Sequence, residues 1–256
     1  MQRCFIPPDQ WSDTLLPLAA TEQHHLVHVL RLPAQTPILA FDGQGREAET
    51  RLCLPDAGGQ AHLRIAHLRD QTAAPSRPVW TLVPAIIKGT RMDSLIEKAT
   101  ELGAGRIMPI QTDRCVVRLD ERQAAAKVQR WNRIAVSAAK QCGTPYLPAI
   151  EPVTNVRAAL QLLQARNIPV LLGALEGNPP PLARVAHDAI AGSRREMAIL
   201  VGPEGDFTPA EYSQCAQAGC LPASFGPLTL RAETASIFAL SVLQALWEAQ
   251  QACLSL

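Results

Sequence analysis

The chain has 256 residues, 47% hydrophobic and 18% charged, which excludes a disordered polyelectrolyte and leaves room for two domains of ordinary size. Lys and Arg number 24 against 23 Asp and Glu, so a net charge of +1 does not by itself announce a polyanionic partner. No apolar run approaches the roughly 20 residues that cross a bilayer, and the start, Met1 to Pro8, lacks the apolar core of a secretory signal; no membrane partner and no export are expected. Seven scattered cysteines (Cys4, Cys53, Cys115, Cys142, Cys215, Cys220, Cys253) form no C-x-x-C, so free thiols in a reducing cytoplasm and no metal site are expected.

Residues 1–74 read as a small β-rich module. Ile38–Phe41 runs into Asp42-Gly43, a strong hairpin cue, and Gly45 leads to an alternating stretch from Glu47 to Leu54. Gly58-Gly59 precedes another alternating strand, His62–Leu68. One helix-like exception, Gln23–Leu32, carries His24 and His28 a turn apart. With no acidic third ligand nearby, that pair reads as packing or an RNA contact. Gln71–Pro78 is the expected linker.

From residue 75 onward apolar runs alternate with helical patterns. Strands are predicted at Val79–Pro84, Arg106–Ile110, Val170–Leu172, Met197–Val201 and Leu221–Phe225. Helices are predicted at Arg91–Leu102, Glu121–Lys140, Thr154–Ala165, Thr208–Ala218 and Ala232–Ala252. That order predicts an α/β domain built on a largely parallel sheet.

Three of these strands end in glycine-bearing turns: Leu171-Leu172-Gly173, Leu200-Val201-Gly202-Pro203-Glu204-Gly205, and Ser224-Phe225-Gly226-Pro227-Leu228. Ligands of open α/β sheets bind outside the carboxyl ends of the strands, and glycine lets backbone approach them closely. Three such turns point to one pocket for a purine-containing cofactor. Neither G-x-G-x-x-G nor G-x-x-x-x-G-K-[ST] is present, so a nicotinamide site and a P-loop lack their phosphate cradles. Thr208-Pro209-Ala210-Glu211 is a capping box, which makes Glu211 a cap rather than an acid catalyst. Glu204 either binds cofactor or holds its loop. Glu233 sits in the first turn of the last helix, where a carboxylate favours the macrodipole, and Arg231 stands between the pocket and that helix.

The stretch Leu200 to Phe207, together with Phe225-Gly226-Pro227-Leu228-Thr229-Leu230-Arg231-Ala232-Glu233-Thr234-Ala235, resembles the RsmE family of small-subunit ribosomal RNA methyltransferases, of the SPOUT class. Lys88-Gly89 through Ala104, His24 to Leu32, and Phe41 to Gly45 are also similar to that family, so the resemblance spans nearly the whole chain. It implies an α/β SPOUT domain with a C-terminal trefoil knot at 75–256, and a PUA-like RNA-binding β-barrel at 1–74. It implies methyl transfer from S-adenosyl-L-methionine to N3 of a uridine in 16S rRNA within the small ribosomal subunit, by a homodimer. Cofactor contacts would fall to Leu172, Gly173, Val201, Gly202, Pro203, Glu204, Gly205, Phe225, Gly226, Leu228 and Leu230. Two departures stand out: Gln141-Cys142-Gly143-Thr144 lacks the arginine common before Pro148, and Ala232 replaces a threonine. A different RNA position, or a non-catalytic assembly factor with the same fold, are the alternatives.

Neutral uracil is a poor nucleophile at N3, so a fixed cation beside its oxygens is needed as negative charge develops. Arg231 is the catalytic candidate for that task, with Glu233 orienting it or accepting the proton. RNA contacts must come from local charge. Between Arg114 and Lys140 seven basic residues face Asp120 and Glu121, and at about 100° per residue Arg122, Arg133 and Lys140 fall nearly in line, opposite Trp131, Ala135 and Ala138. Arg3, Arg31, Lys88, Arg91 and Arg114 complete the RNA candidates. In the final helix, ten of the thirteen residues from Ala235 to Trp247 are apolar; only Ser236, Ser241 and Gln244 are polar. An apolar arc that wide exceeds what one sheet covers, which predicts an isologous homodimer.

Overall fold

The computed structural model describes residues 1–54, 59–69, 78–191 and 195–254. Gly58 and all of the expected linker except Pro78 lie outside them. The chain divides into two units, Met1–Ser76 with Ala139–Leu147, and Arg77–Ala138 with Pro148–Leu256.

The first unit is a five-stranded mixed sheet in the order β1 (Gln2–Phe5), β3 (Pro37–Phe41), β4 (Glu47–Cys53), β5 (His62–Arg69), β2 (Leu15–Pro17). β1 pairs with β3 in parallel; the other pairs are antiparallel. Its alternating residues bury Cys4, Ile6, Leu16, Ile38, Ala40, Leu52 and Leu63 in one core. The Asp42-Gly43 cue is a built turn. Asp42 is buried, and its carboxylate accepts from the N–H groups of Gln44 and Arg46 and from Arg46 Nε, at 2.6–3.0 Å. The helix-like stretch begins as α1 (Ala20–Gln23) and widens into a π-helical turn at His24–Val29, where Leu30 N–H donates to His25 O.

A boundary at residue 74 leaves out Ala139–Leu147, which belongs to this first unit. The Gly45 N–H donates to Pro145 O, the Leu147 N–H to Gly43 O, and a Cβ at Gly45 would lie 2.7 Å from the Tyr146 ring. A distant segment is thus stitched onto the Asp42 turn.

The second unit holds an all-parallel six-stranded sheet in the order β11 (Leu221–Ala223), β9 (Val170–Gly173), β10 (Glu196–Val201), β6 (Val79–Pro84), β7 (Arg106–Ile107), β8 (Ala149–Ile150). Successive side chains point to opposite faces. Trp80, Leu82, Leu171, Met197 and Ile199 pack with α2 (Thr90–Glu101), α5 (Leu182–Ala191) and α7 (Ala232–Leu254). Val83, Val170, Leu172, Ala198 and Leu200 pack with α4 (Val156–Ala165) and α6 (Pro209–Gln217). Both faces are covered, which is why these strands read as unbroken apolar runs. α3 (Glu121–Cys142) turns Trp131, Ala135 and Ala138 inward as its spacing predicts. β8 and α5 have no counterpart in the predicted elements. β8 is two residues long, while α5 carries a legible stripe (Leu182, Ala186, Ile190) hidden behind three prolines.

The predicted capping box is present and does more than cap. Thr208 Oγ1 accepts from the Glu211 N–H, and Glu211 Oε2 accepts from the Thr208 N–H at 2.8 Å. Glu211 Oε1 also accepts from the Asp113 N–H at 2.9 Å, so this carboxylate, only 4% exposed, ties α6 to the turn after Ile110. Glu211→Ala strands two backbone donors and is expected to lower stability by about 2 kcal/mol. The readout is a urea midpoint that falls at unchanged m-value; an unchanged midpoint refutes the tie.

Candidate functional site

β9, β10 and β11 lie side by side, so the turns that follow them meet at one edge of the sheet. Together they enclose a cavity of about 570 Å³. Gly173, Val201, Gly202, Pro203, Glu204, Phe225, Gly226, Leu228 and Leu230 line it, as does Arg231. Two expected cofactor residues do not. The Leu172 side chain points to a second cavity with Arg114, Phe207, Tyr212 and Cys220, and Gly205 packs against Arg114, where a Cβ would come within 3.3 Å of the arginine's own Cβ. The loop from Ala174 to Pro179 supplies Leu175 and Asn178, which the sequence pattern did not single out because they lie past the Gly173 turn that marks the end of the strand.

The glycines serve packing as well as access. A Cβ at Gly173 would lie 2.9 Å from the Phe225 ring, and one at Gly202 would lie 3.1 Å from the Phe207 ring. Each turn is seated on an aromatic ring, Phe225 from the turn after β11 and Phe207 from further along its own turn. Gly226 differs: it has open space around it and a φ of +112°, so backbone conformation is what requires glycine there. Past it, the backbone groups of Leu228, Thr229 and Leu230 have no hydrogen-bond partner among the described residues.

The turn after β10 is held from behind. Arg114 Nη1 donates to Gly205 O at 3.0 Å and to Phe207 O at 3.2 Å. The Tyr212 hydroxyl donates to Asp206, whose two carboxylate oxygens are each 3.0 Å away. Burial, followed by the Asp206 carboxylate, pushes the Tyr212 phenol well above its ordinary pKa, so it stays a donor.

Among the described residues five charged side chains border the cavity or its edge: Asp206, held by Tyr212 as above, and Arg91, Glu204, Arg231 and Glu233. Arg91 Nη2 lies 2.8 Å from Glu204 Oε1, and its Nη1 lies 3.7 Å from Glu233 Oε1. Arg231 is exposed and has no ionic partner among the described residues. Glu233 therefore turns to Arg91 and does not orient Arg231 as expected; its Oε2 is buried without a hydrogen-bond partner.

The RNA candidates separate into two groups. Arg3 is a structural cation: it pairs with Glu47 at 2.8 Å, donates to Thr144 O and lies over the Phe41 ring. Lys140 is drawn off the predicted stripe by Glu22, both of whose oxygens are at 2.8 Å. Arg91 and Arg114 are engaged as described above. These four cations face protein acceptors. Arg31, Lys88, Arg122 and Arg133 are exposed. Among the described residues no three His, Cys, Asp or Glu side chains cluster as a metal site; His24 and His28 stack with ring centroids 5.5 Å apart.

On α7 the polar residues do not mark the solvent side. Ser236 is fully buried and donates to Ala232 O, and Gln244 accepts from Trp80 Nε1. A hydroxyl satisfied by its own helix can be buried at little cost. The outer side instead presents Thr234, Phe238, Ala245 and Ala249, with Phe238 40% exposed and its ring against Phe225.

A family model described as an RNA methyltransferase domain matches residues 75–244. Ribosomal RNA small subunit methyltransferase E of Bacillus subtilis is 29% identical to this chain, over 95% of it and 96% of its own length. Its counterpart from Mycobacterium bovis is 32% identical over 89% of this chain and 86% of its own. The crystal structure of ribosomal RNA small subunit methyltransferase E from Neisseria gonorrhoeae, bound to S-adenosyl methionine, matches with a TM-score of 0.82 at 30% identity, covering 96% of this chain and 98% of that one. A sheet edge with three converging turns, and a match running almost from end to end, lead to one conclusion: the chain belongs to the ribosomal RNA small subunit methyltransferase E family of RNA methyltransferases.

Proposed function

We propose that this protein methylates N3 of a uridine in the 16S rRNA of the small ribosomal subunit, in the cytoplasm, using S-adenosylmethionine. The observation that carries this is the single cavity formed by the turns after β9, β10 and β11. Its residues fit the cofactor: Val201, Phe225, Leu230 and Ala235 give an apolar wall, and the unpartnered backbone of Leu228 to Leu230 suits a base edge.

The finer architecture belongs to the same proposal, a trefoil knot in the second unit and a PUA-like barrel in the first. Knots are nearly absent from proteins, so this one needs specific support. That support is the insertion of β10 between β9 and β6, the return of β11 to the far side of β9, and the packing of α7 on α2, α5 and the sheet.

When bound, the cofactor supplies an electrophilic methyl group on a sulfonium. What the chain must do is favour loss of the N3 proton and stabilise the charge that spreads onto the uracil oxygens. Arg231, exposed at the cavity and free of ionic partners among the described residues, is placed for that. A donor held in advance at such a position is worth several kcal/mol because it needs no reorganisation. Glu233 contributes through the charge balance of the rim, engaged with Arg91. Arg31, Lys88, Arg122 and Arg133 are the cations available to RNA phosphates. The outer face of α7, with Phe238 and the half-buried Ile237, Val242 and Leu246, suits a second copy of the chain in an isologous dimer.

Calorimetric titration with S-adenosylmethionine is expected to show one site per chain; no heat of binding would favour a non-catalytic assembly factor. Arg231→Ala should retain that binding yet lose about 100-fold or more in turnover, as for removal of one oxyanion donor, measured by mapping methylated nucleotides in small subunits that lack the modification. Undiminished turnover removes Arg231 from the chemistry. Arg114→Ala, which frees the turn at Gly205 and Phe207, should weaken cofactor binding about tenfold, the equivalent of one charge-assisted hydrogen bond. Light scattering at micromolar concentration should give a dimer for the native chain and a monomer for Phe238→Asp; a native monomer refutes the α7 interface.

A further inference from the structure

We infer that Arg91 is a positioning residue for methyl transfer: its guanidinium occupies the carboxylates of both Glu204 and Glu233, and so leaves Arg231 unpaired for the substrate. This role rests on the function proposed above and extends it to a residue that its sequence context marks only as another basic side chain.

Three separate pieces of chain meet at Arg91. It stands in the first turn of α2, directly after the Gly89-Thr90 entry, where Gly89 has a φ of +71°. One nitrogen reaches Glu204, in the cavity-lining turn after β10; the other faces Glu233, in the first turn of α7. Arg231 precedes Glu233 by two residues and lines the same cavity as Glu204. Of the carboxylates there, Glu204 and Glu233 both turn to Arg91, while Asp206, which also lines the cavity, is held by the Tyr212 hydroxyl.

That asymmetry has a chemical purpose. Remove Arg91 and two carboxylates are left uncompensated, with Arg231 the cation nearest in sequence to Glu233. Opposite charges in a partly desolvated cleft attract strongly, and a guanidinium captured by a carboxylate cannot also donate to a developing oxyanion. The uncompensated pair would also repel an incoming RNA phosphate. A guanidinium holds its donors on separate nitrogens in a fixed plane, so it can face two carboxylates from different segments; a lysine ammonium is a single compact charge. Glu233 Oε2, buried with no hydrogen-bond partner, makes that side chain especially dependent on the contact with Arg91.

The test compares native protein, Arg91→Ala and Arg91→Lys by single-turnover methylation of small subunits lacking the modification, with cofactor affinity measured separately by calorimetry and folding by thermal unfolding. Arg91→Ala is expected to lose about tenfold or more in the methyl-transfer rate, while its cofactor Kd stays within about threefold, the split that marks a transition-state effect. Arg91→Lys, which keeps a charge, should fall between the two and covers the case in which the alanine variant does not fold. Native protein that leaves uridine N3 unmethylated overturns the functional reading and this role with it. Native methylation with an Arg91→Ala rate within about twofold of native overturns the role alone. Equal losses in rate and cofactor affinity overturn it too, since they make Arg91 a cofactor-site residue.

Discussion

A parallel sheet with helices on both faces leaves its backbone accessible only at the strand ends, and the second unit is organised by that restriction. Trp80 and Leu82 commit one face, Val83 and Leu200 the other, and the turns at Gly173, Gly202 and Gly226 line a cavity at the strand ends. Because β9, β10 and β11 are neighbours, those three turns share one edge. A cavity there follows from strand order.

The turns themselves are held by side chains in and behind the cavity wall. Phe225 and Phe207 fill the space that side chains at Gly173 and Gly202 would take, and Arg114 and Glu211 fasten the far side of the second turn to residues 112–114. Preorganisation of this kind fixes the backbone of the turns in advance. The electrostatics follow the same economy: one guanidinium, Arg91, faces two acids, while Arg231 has no ionic partner among the described residues.

Much of this was legible in the residues. Apolar runs located β6, β9 and β10 almost to the residue, since a strand buried on both faces is apolar at nearly every position; the exposed Glu196 at the start of β10 is where the reading stopped short. The capping box and the Asp42-Gly43 turn were equally plain, because their side chains act within a few residues of themselves. What could not be read were partnerships across the chain. Nothing near Arg3, Arg91 or Lys140 announces Glu47, Glu204 or Glu22, so cations that look available in a list prove to be engaged in space. Ser236 misled for a related reason: its hydroxyl finds an acceptor in its own helix, so polarity alone did not mark the wet side of α7.

The segment Ala139–Leu147 bears on how the molecule can be taken apart. Tyr146 fills the hollow left by Gly45, and Leu147 and Pro145 bond to the same turn that Asp42 organises, although they lie about a hundred residues downstream. A gene fragment stopping at residue 74 would encode the strands but omit that clasp, exposing Phe5 and Leu147's usual seat to water. The mixed sheet is thus not a detachable cassette: anyone wishing to graft it elsewhere must carry a piece of the catalytic half's longest connecting helix along with it.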